Sequence, residues 1–391
     1  MRQIFPRSVF EIENLPEDAE LTLLAGSETC RIRTLPPKER ELRLLVASCF
    51  WQDGDRGNLR SGASLLRPIF EKPHLRILCG DQIYMDVPGF GLLFAGSNAK
   101  DGTVDRYRRY WGDAGYSAFL GDGLTLFTPD DHEFWNDFPH RPFWLSRTWT
   151  AQSRAAHERY ARAGFLAHQA LANPGARSWF SLDLGPVSLF VTDTRTERDA
   201  AGSPGARLFG DAQERALLAW SAALAKPGIL VLGPPLFQRA ASKVLWLETD
   251  HNLLSYPREA ALIWRAVEEA PRDVLVLAGD IHMSRLTEWA APSGRVLREI
   301  VASPMSVIHG KNDGDVEPPP LDLRPEGDAS PRRSRIMKYA TRKNGFTLIY
   351  VIPGNGGVLV RVQAREVPSA RIAASDWGAP GRSCAHEFTL R

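Results

Sequence analysis

Cysteine is scarce: Cys30, Cys49, Cys79 and Cys384 are too few and too scattered for a disulfide framework, and none forms a Cys-x-x-Cys pair for structural zinc. Lysine is scarce too. Of 48 basic side chains 40 are arginine, and 46 acidic ones nearly cancel them, leaving a net charge of +2. That balance gives no footprint for nucleic acid or an anionic membrane. No apolar run approaches the roughly 20 residues that cross a bilayer, and residues 1–10 lack the apolar core of a signal peptide. The expectation is a cytoplasmic protein with no nucleic-acid or membrane partner; its oligomeric state is open. There is no P-loop and no Gly-x-Ser-x-Gly elbow, and Gly89-Phe90-Gly91 lacks the third glycine of a dinucleotide fingerprint. Serine acyl transfer and hydride transfer therefore have no anchor.

What is present is an ordinary globular composition, 43% hydrophobic and 24% charged over 391 residues. Residues 1–40 read as a small β module, with short apolar runs broken by Leu15-Pro16, Gly26 and Pro36-Pro37. From residue 41 compact apolar runs alternate with helical stretches. Strands are expected at Leu42–Ser48, Leu75–Cys79, Leu124–Thr128, Val187–Thr192, Ile229–Leu232, Val274–Ala278 and Val296–Val301. Helices are expected at Arg60–Phe70, Ala151–Ala172, Asp211–Ala225 and Pro257–Ala270, the last capped by Ser255 with Pro257 in its first turn. Runs this apolar are buried on both faces, as in the central sheets of α/β proteins. Residues 311–335, rich in Pro, Asp and Arg, read as an exposed excursion. Phe346–Ile352 and Val358–Gln363, joined through Pro353-Gly354-Asn355-Gly356-Gly357, read as a C-terminal hairpin.

The informative fact is position. The exits of successive strands carry Ser48-Cys49, Gly80-Asp81-Gln82-Ile83-Tyr84, Asp130-Asp131-His132-Glu133, Asp193-Thr194-Arg195 and Gly279-Asp280-Ile281-His282. Ligands of open α/β sheets bind beyond the carboxyl ends of the strands, so these clusters converge on one crevice. Their chemistry is coherent. Hard oxygen donors with a few imidazoles suit Mg²⁺, Ca²⁺, Mn²⁺ or iron, and a thiolate and a phenolate favour a trivalent or borderline metal. Asp81 is placed to bridge two cations, which together clamp a phosphoryl group and lower the pKa of a water between them. His140, His157, His168, His251, His309 and His386 have no motif around them and are assigned to structure or surface, and Tyr84 to packing under the metal-binding loop.

Taken as an ordered set, Ser-Cys, Gly-Asp-x-x-Tyr, Asp-Asp-His-Glu followed by Asn, Asp-Thr-Arg and Gly-Asp-x-His over residues 40–310 resemble the PhoD-like alkaline phosphatases of the calcineurin-like metallophosphoesterase superfamily. The resemblance implies a four-layer α/β/β/α sandwich, here with a short N-terminal β module (1–40) ahead of the catalytic domain (41–391). It implies Cys49 as a thiolate ligand, Asp81 as the bridging carboxylate, and Asp131, Asn136, Asp280 and His282 as further metal ligands. A phenolate is implied upstream of the Asp-Asp-His-Glu block, with Tyr110 favoured and Tyr107 its rival. His132 is implied as proton donor to the leaving group, and Arg195 as the holder of a phosphate oxygen. The cofactor implied is two or more metal ions, iron plus calcium, with manganese or magnesium as substitutes. Two departures stand out: Gly233-Pro234-Pro235 where amide side chains are usual, and Leu253-Leu254-Ser255-Tyr256 where Trp-Asp-Gly-Tyr is usual. The function implied is hydrolysis of a small phosphoester, monoester or diester, by a metal-activated hydroxide. The alternative is a member of the same fold that holds metal but turns over weakly or acts as a regulator.

Overall fold

The computed structural model describes residues 10, 12–55, 73–86, 99–141, 145, 148–237, 242–244, 247–249, 251–291, 294–307, 322–323, 332–333, 335–366 and 384–391. All seven apolar runs named above form strands within a residue of their expected bounds. They are β3 (Leu42–Ala47), β4 (Leu75–Cys79), β5 (Thr125–Thr128), β7 (Ser188–Val191), β8 (Gly228–Val231), β11 (Val274–Ala278) and β13 (Val296–Val301). Before them, β1 (Glu20–Ala25) and β2 (Glu28–Arg33) pair antiparallel as a separate ribbon. Asp18 ties that ribbon down: it pairs with Arg33 at 2.7 Å and with buried His74 at 3.0 Å, and the hydrogen bond from Arg33 holds its carboxyl at about 2.

Several elements escaped the sequence reading. Strands β6 (Phe180–Asp183), β12 (Ser284–Ala290), β16 (Arg335–Thr341) and β19 (Cys384–Leu390) lie at or near sheet edges, where their runs are shorter or mixed with charge. Four short pieces, β9 (Ser242–Val244) with β10 (Leu247–Thr249) and β14 (Asp322–Leu323) with β15 (Arg332–Arg333), form two-stranded ribbons, and β17 (Gly345–Gly354) pairs with β18 (Gly357–Glu366) as the expected hairpin. The described parts of 311–335 thus include paired backbone; the rest of that expected excursion lies outside the described residues.

Among the helices, α1 is a single turn (Gln52–Asp55), α2 is Ala99–Trp111 and α3 is Ala114–Leu120, capped by Asp113, which accepts from the amides of Gly115 and Tyr116. Helix α4 (Ala151–His168) stops earlier than expected, the chain tightening into a 3₁₀ turn at Ala170–Ala172. Helices α5 (Asp211–Ala222) and α6 (Pro257–Glu268) fall where expected, but Ser255 is not the cap of α6. Tyr256 occupies that position without a side-chain bond, while Ser255 closes a 3₁₀ turn capped by Asn252. The helix expected at 60–70 lies outside the described residues.

Two mixed sheets organise the molecule. One runs β16-β12-β13-β11-β8-β7-β6 and the other β19-β18-β17-β3-β4-β5. Within them β13, β11, β8 and β7 are mutually parallel, as are β3, β4 and β5. Side chains alternate across a strand, so each central strand feeds two cores. Leu44, Val46, Ile77 and Cys79 join Leu189, Val191, Ile229, Val231, Leu275 and Leu277 in one cluster between the sheets. Their neighbours point the other way: Leu45, Ala47, Leu78 and Phe127 pack with Tyr107, Tyr110, Tyr116 and Phe119, while Leu230, Val276 and Ala278 pack with Leu217, Ile263 and Trp264. This double burial is why the runs are continuously apolar. Among the described residues no helix is long and apolar enough to cross a membrane.

Candidate metal centre

Parallel strands deliver their carboxyl ends to one edge, and here the edges of both sheets meet. The exit of β3 is bonded to that of β4 (Cys49 N–H to Gly80 O, 3.2 Å; Phe50 N–H to Asp81 O, 2.8 Å), and Met305 N–H reaches Ser48 O at 2.7 Å. Glycine makes the closeness possible. A Cβ at Gly279 would stand 2.3 Å from Cys79 O and 2.5 Å from Ser48 Cβ, and one at Gly80 would stand 2.4 Å from Asp130 Cβ.

The convergence gathers donors. One ligand atom from each of Cys49, Asp81 and His282 lies within 4.8 Å of the others; so do those of Asp81, Asp130, Asp131 and Asp280, and those of Asp81, Asp131 and His132. Asp81 belongs to all three groups. Four of these residues, Cys49 (φ 60°), Asp81 (56°), Asp280 (71°) and His282 (48°), hold left-handed backbone that a side-chain-bearing residue rarely adopts. Such strain persists where surrounding bonds over-determine it, and it clusters at functional sites.

Those surrounding bonds are identifiable. Glu133, fully buried, accepts from the amides of Asp81 (3.0 Å), Gln82 (2.7 Å) and Asp130 (2.8 Å) and from Gln169 Nε2 (3.2 Å). Asp86 spans the other side: one oxygen meets His132 Nδ1 at 2.7 Å and the other accepts from Asn136 N–H at 2.7 Å. With Nδ1 so engaged, Nε2 is the nitrogen of His132 left for the site. Ser303 Oγ lies 3.1 Å from Cys49 Sγ and accepts from His282 N–H at 3.1 Å.

Tyr84 enters where the sequence assigned packing. Its hydroxyl lies 3.1 Å from His282 Nε2, and its ring stacks on His132 at 4.0 Å. Tyr110, the expected phenolate, is buried edge-on to Phe50 with its hydroxyl lacking a hydrogen-bond partner. Tyr107, its rival, is committed to stacking on His168, with its hydroxyl 3.5 Å from Gln169. Asn136 is half-buried and enters through its backbone bond to Asp86. Arg195 is buried; its Nε pairs with Asp130 Oδ1 and its Nη1 donates to Phe138 O at 3.2 Å. Glu133 stands in an expected motif without a role, Ser303 lies in a stretch (Glu299 to Ser306) that faintly resembles the family but implies no role for it, and Asp86 carries no signal that separates it from ordinary loop residues.

A further group, Asp137, His140 and His251, also lies within 4.8 Å. His140 is already spent: its Nε2 accepts from Ala201 N–H at 2.9 Å, leaving Nδ1 to donate to Asp137 O at 3.1 Å. With the His140 lone pair taken, only Asp137 and His251 are left of this group, and we leave it out of the centre.

Electrostatically the main cluster is poised for cations. Burial pushes Asp81 and Asp280 well above the usual carboxylate range, each raised further by neighbouring acids, and raises Glu133 to about 7. Burial also raises the Cys49 thiol, with Asp81 adding to it. His282 falls to about 4 through burial and the nearby His132, which leaves it a neutral ligand imidazole. Burial opposes the charge of His132, but Asp86, Asp131 and Asp81 outweigh it and hold the imidazolium. The buried atoms Asp131 Oδ1 and Asp130 Oδ2 have no hydrogen-bond partner. Thiol, imidazole and carboxylates at this density, with acceptor atoms left over, fit a multi-cation site.

A pH dependence follows. An acid raised on folding favours the folded state while protonated, so the contribution of Glu133 is full below pH 4.5 and lost as pH climbs to about 7. Asp81, Asp280 and His132 are raised as well and lose stability in the same direction, whereas His282, lowered to about 4, gains it between about pH 4 and 6.5 and offsets only one of them. The melting temperature of chelator-stripped protein should therefore fall as pH rises through that window. Excess Mn²⁺, which competes with protons for the same oxygens, should flatten or reverse the trend. Thermal melts that rise with pH in chelator contradict this balance.

Comparison with known proteins agrees with the geometry. The family model for the PhoD-like phosphatase matches residues 44–353. A solved structure described as "Structure of PhoD" superposes with a TM-score of 0.64 at 17% identity, covering 93% of this chain and 72% of that one, a likeness of fold. A second, described as "GAP50 the anchor in the inner membrane complex of Plasmodium", reaches a TM-score of 0.41 at 11% identity, covering 90% of each chain. No curated protein matches. With the family model spanning well over half of its length, this chain belongs to the PhoD-like phosphatase family.

Proposed function

We propose that this protein hydrolyses a small phosphoester on two or more metal ions held where the two sheets meet, in a four-layer α/β/β/α sandwich. One observation carries the reading: Asp81, Asp130, Asp131 and Asp280 bring carboxylate oxygens within 4.8 Å of one another, with Cys49 and His282 adjoining through Asp81. Buried acids this close cannot all ionise without cations among them.

The ligands we assign are Cys49, Asp81, Asp131, Asn136, Asp280 and His282, with Tyr84 in place of Tyr110 as the phenolate. Asp81, common to every group, is the bridge. The thiol and phenol suit iron and the remaining oxygens suit calcium, manganese or magnesium. When bound, such ions absorb charge on phosphorus oxygens and acidify water.

The chain's own residues supply the rest. Asp86 fixes the His132 tautomer through Nδ1 at 2.7 Å, so Nε2–H is the proton offered to the leaving alkoxide. Arg195, held beside the cluster by Asp130, steadies a phosphate oxygen through the guanidinium nitrogen that those bonds leave over. Glu133 keeps the loops of Asp81 and Asp130 in place during turnover.

Two experiments test this. Hydrolysis of aryl and alkyl phosphoesters should vanish in chelator and return with added metal; His132→Ala should lose about 10²- to 10⁴-fold on alkyl esters but far less on nitrophenyl esters. Activity that survives metal removal, or an equal loss on both leaving groups, contradicts the mechanism. Metal retained without turnover across a broad ester panel favours the regulatory alternative. Second, Tyr84→Phe should lower the metal content of purified protein while Tyr110→Phe leaves it unchanged. Elemental analysis showing the reverse returns the phenolate to Tyr110.

A further inference from the structure

One acid of the cluster has no ligand role in the reading above. Asp130 is fully buried, and it is fixed at both ends: its amide is held by Glu133 at 2.8 Å, and its Oδ1 by Arg195 Nε. Its other oxygen, Oδ2, is buried with no hydrogen-bond partner, as is Oδ1 of the adjacent Asp131. Leaving a buried acceptor unpaired is costly, so native structures fill such positions with a donor, a water or an ion. Among the described residues no side-chain donor reaches it: Thr194 Oγ1 and Arg198 Nη2, buried nearby, are themselves without a hydrogen-bond partner. Arg198 gives Nε to Thr194 O at 3.0 Å and Nη1 to His251 O at 3.1 Å. The exit of β8 adds none: Gly233 offers no side chain, and a Cβ there would stand 3.2 Å from both Asp130 Cγ and Thr194 Oγ1. The surroundings are rich in acceptors, with a carboxylate oxygen of Asp130 within 4.8 Å of those of Asp81, Asp131 and Asp280.

We propose that Asp130 is itself a cation ligand: Oδ2 binds a hard divalent ion shared with Asp131 and Asp280, while Oδ1 keeps Arg195 beside that ion. This rests on the reading of the cluster as a metal centre. Its consequence is a link between ion occupancy and the arginine's position through a single carboxylate, so that the cation and the guanidinium converge on the same phosphate. If instead Asp130 is only the counterion of Arg195, removing both charges together leaves ion binding intact.

The test is Mn²⁺ binding to chelator-stripped full-length protein, followed by calorimetry. Two comparisons ask the same question: wild type against Asp130→Asn, and Arg195→Met against the Arg195→Met/Asp130→Asn double variant, in which no unpaired charge threatens folding. In each, loss of the carboxylate should weaken one Mn²⁺ equivalent by about 10- to 100-fold. Equal affinity within a folded pair overturns the inference. Direct ligation is read in Asp130→Cys with Cd²⁺, which should add a thiolate-to-cadmium ultraviolet band to the baseline from Cys49; no added band overturns it as well. Should wild type bind no Mn²⁺ at all, the reading of the metal centre fails instead.

Discussion

The carboxylate of Glu133 is the contact on which the site depends. It takes the amides of Asp81, Gln82 and Asp130, and so binds the exit of β4 to the exit of β5 at the point where both loops must present acids rather than bury backbone. Each amide stranded by its loss would cost about 1–3 kcal/mol. Burial makes this acid reluctant to ionise, raising it to about 7 even though three amides and Gln169 pull the other way. A second carboxylate, Asp86, does the same for the far side, gripping His132 and the backbone of Asn136 together.

From these two anchors the rest follows. The left-handed backbone at Cys49, Asp81, Asp280 and His282 costs of the order of 1–3 kcal/mol per residue. It is sustained because neighbouring amides, Ser303 and the close approach of Gly80 and Gly279 leave no relaxed alternative. This backbone turns four donors toward the shared cluster. Sequence, backbone and chemistry are linked here by geometry: parallel strands share an exit edge, glycine lets two sheets touch at that edge, and acids placed two or three residues past the strands meet.

Much of this was legible beforehand. The central strands were readable because burial on both faces makes them continuously apolar, and the acids were readable because strand exits are where α/β folds build sites. Cys49, Asp81, Asp131, His132, Asp280 and His282 come together as their positions implied. What escaped depended on three-dimensional direction. Tyr84 packs against His132, and nothing in a loop sequence says that its hydroxyl also reaches a histidine 198 residues away. Tyr110 was preferred on spacing, yet it lies on the buried face of α2 with aromatic neighbours. Asp86 and Glu133 act through backbone amides, which carry no residue identity to read. Strands at or near the sheet edges, such as β12 and β19, interrupt their apolar residues with charge and resemble loops.

The most direct measurement is a crystal structure of metal-loaded protein with anomalous scattering collected at the metal absorption edges. The account predicts at least two peaks flanking Asp81, one beside Cys49 and His282 and another among Asp131, Asp280 and Asp130. A single peak remote from Asp81, or ions bound at Asp137, His140 and His251 instead, would contradict it.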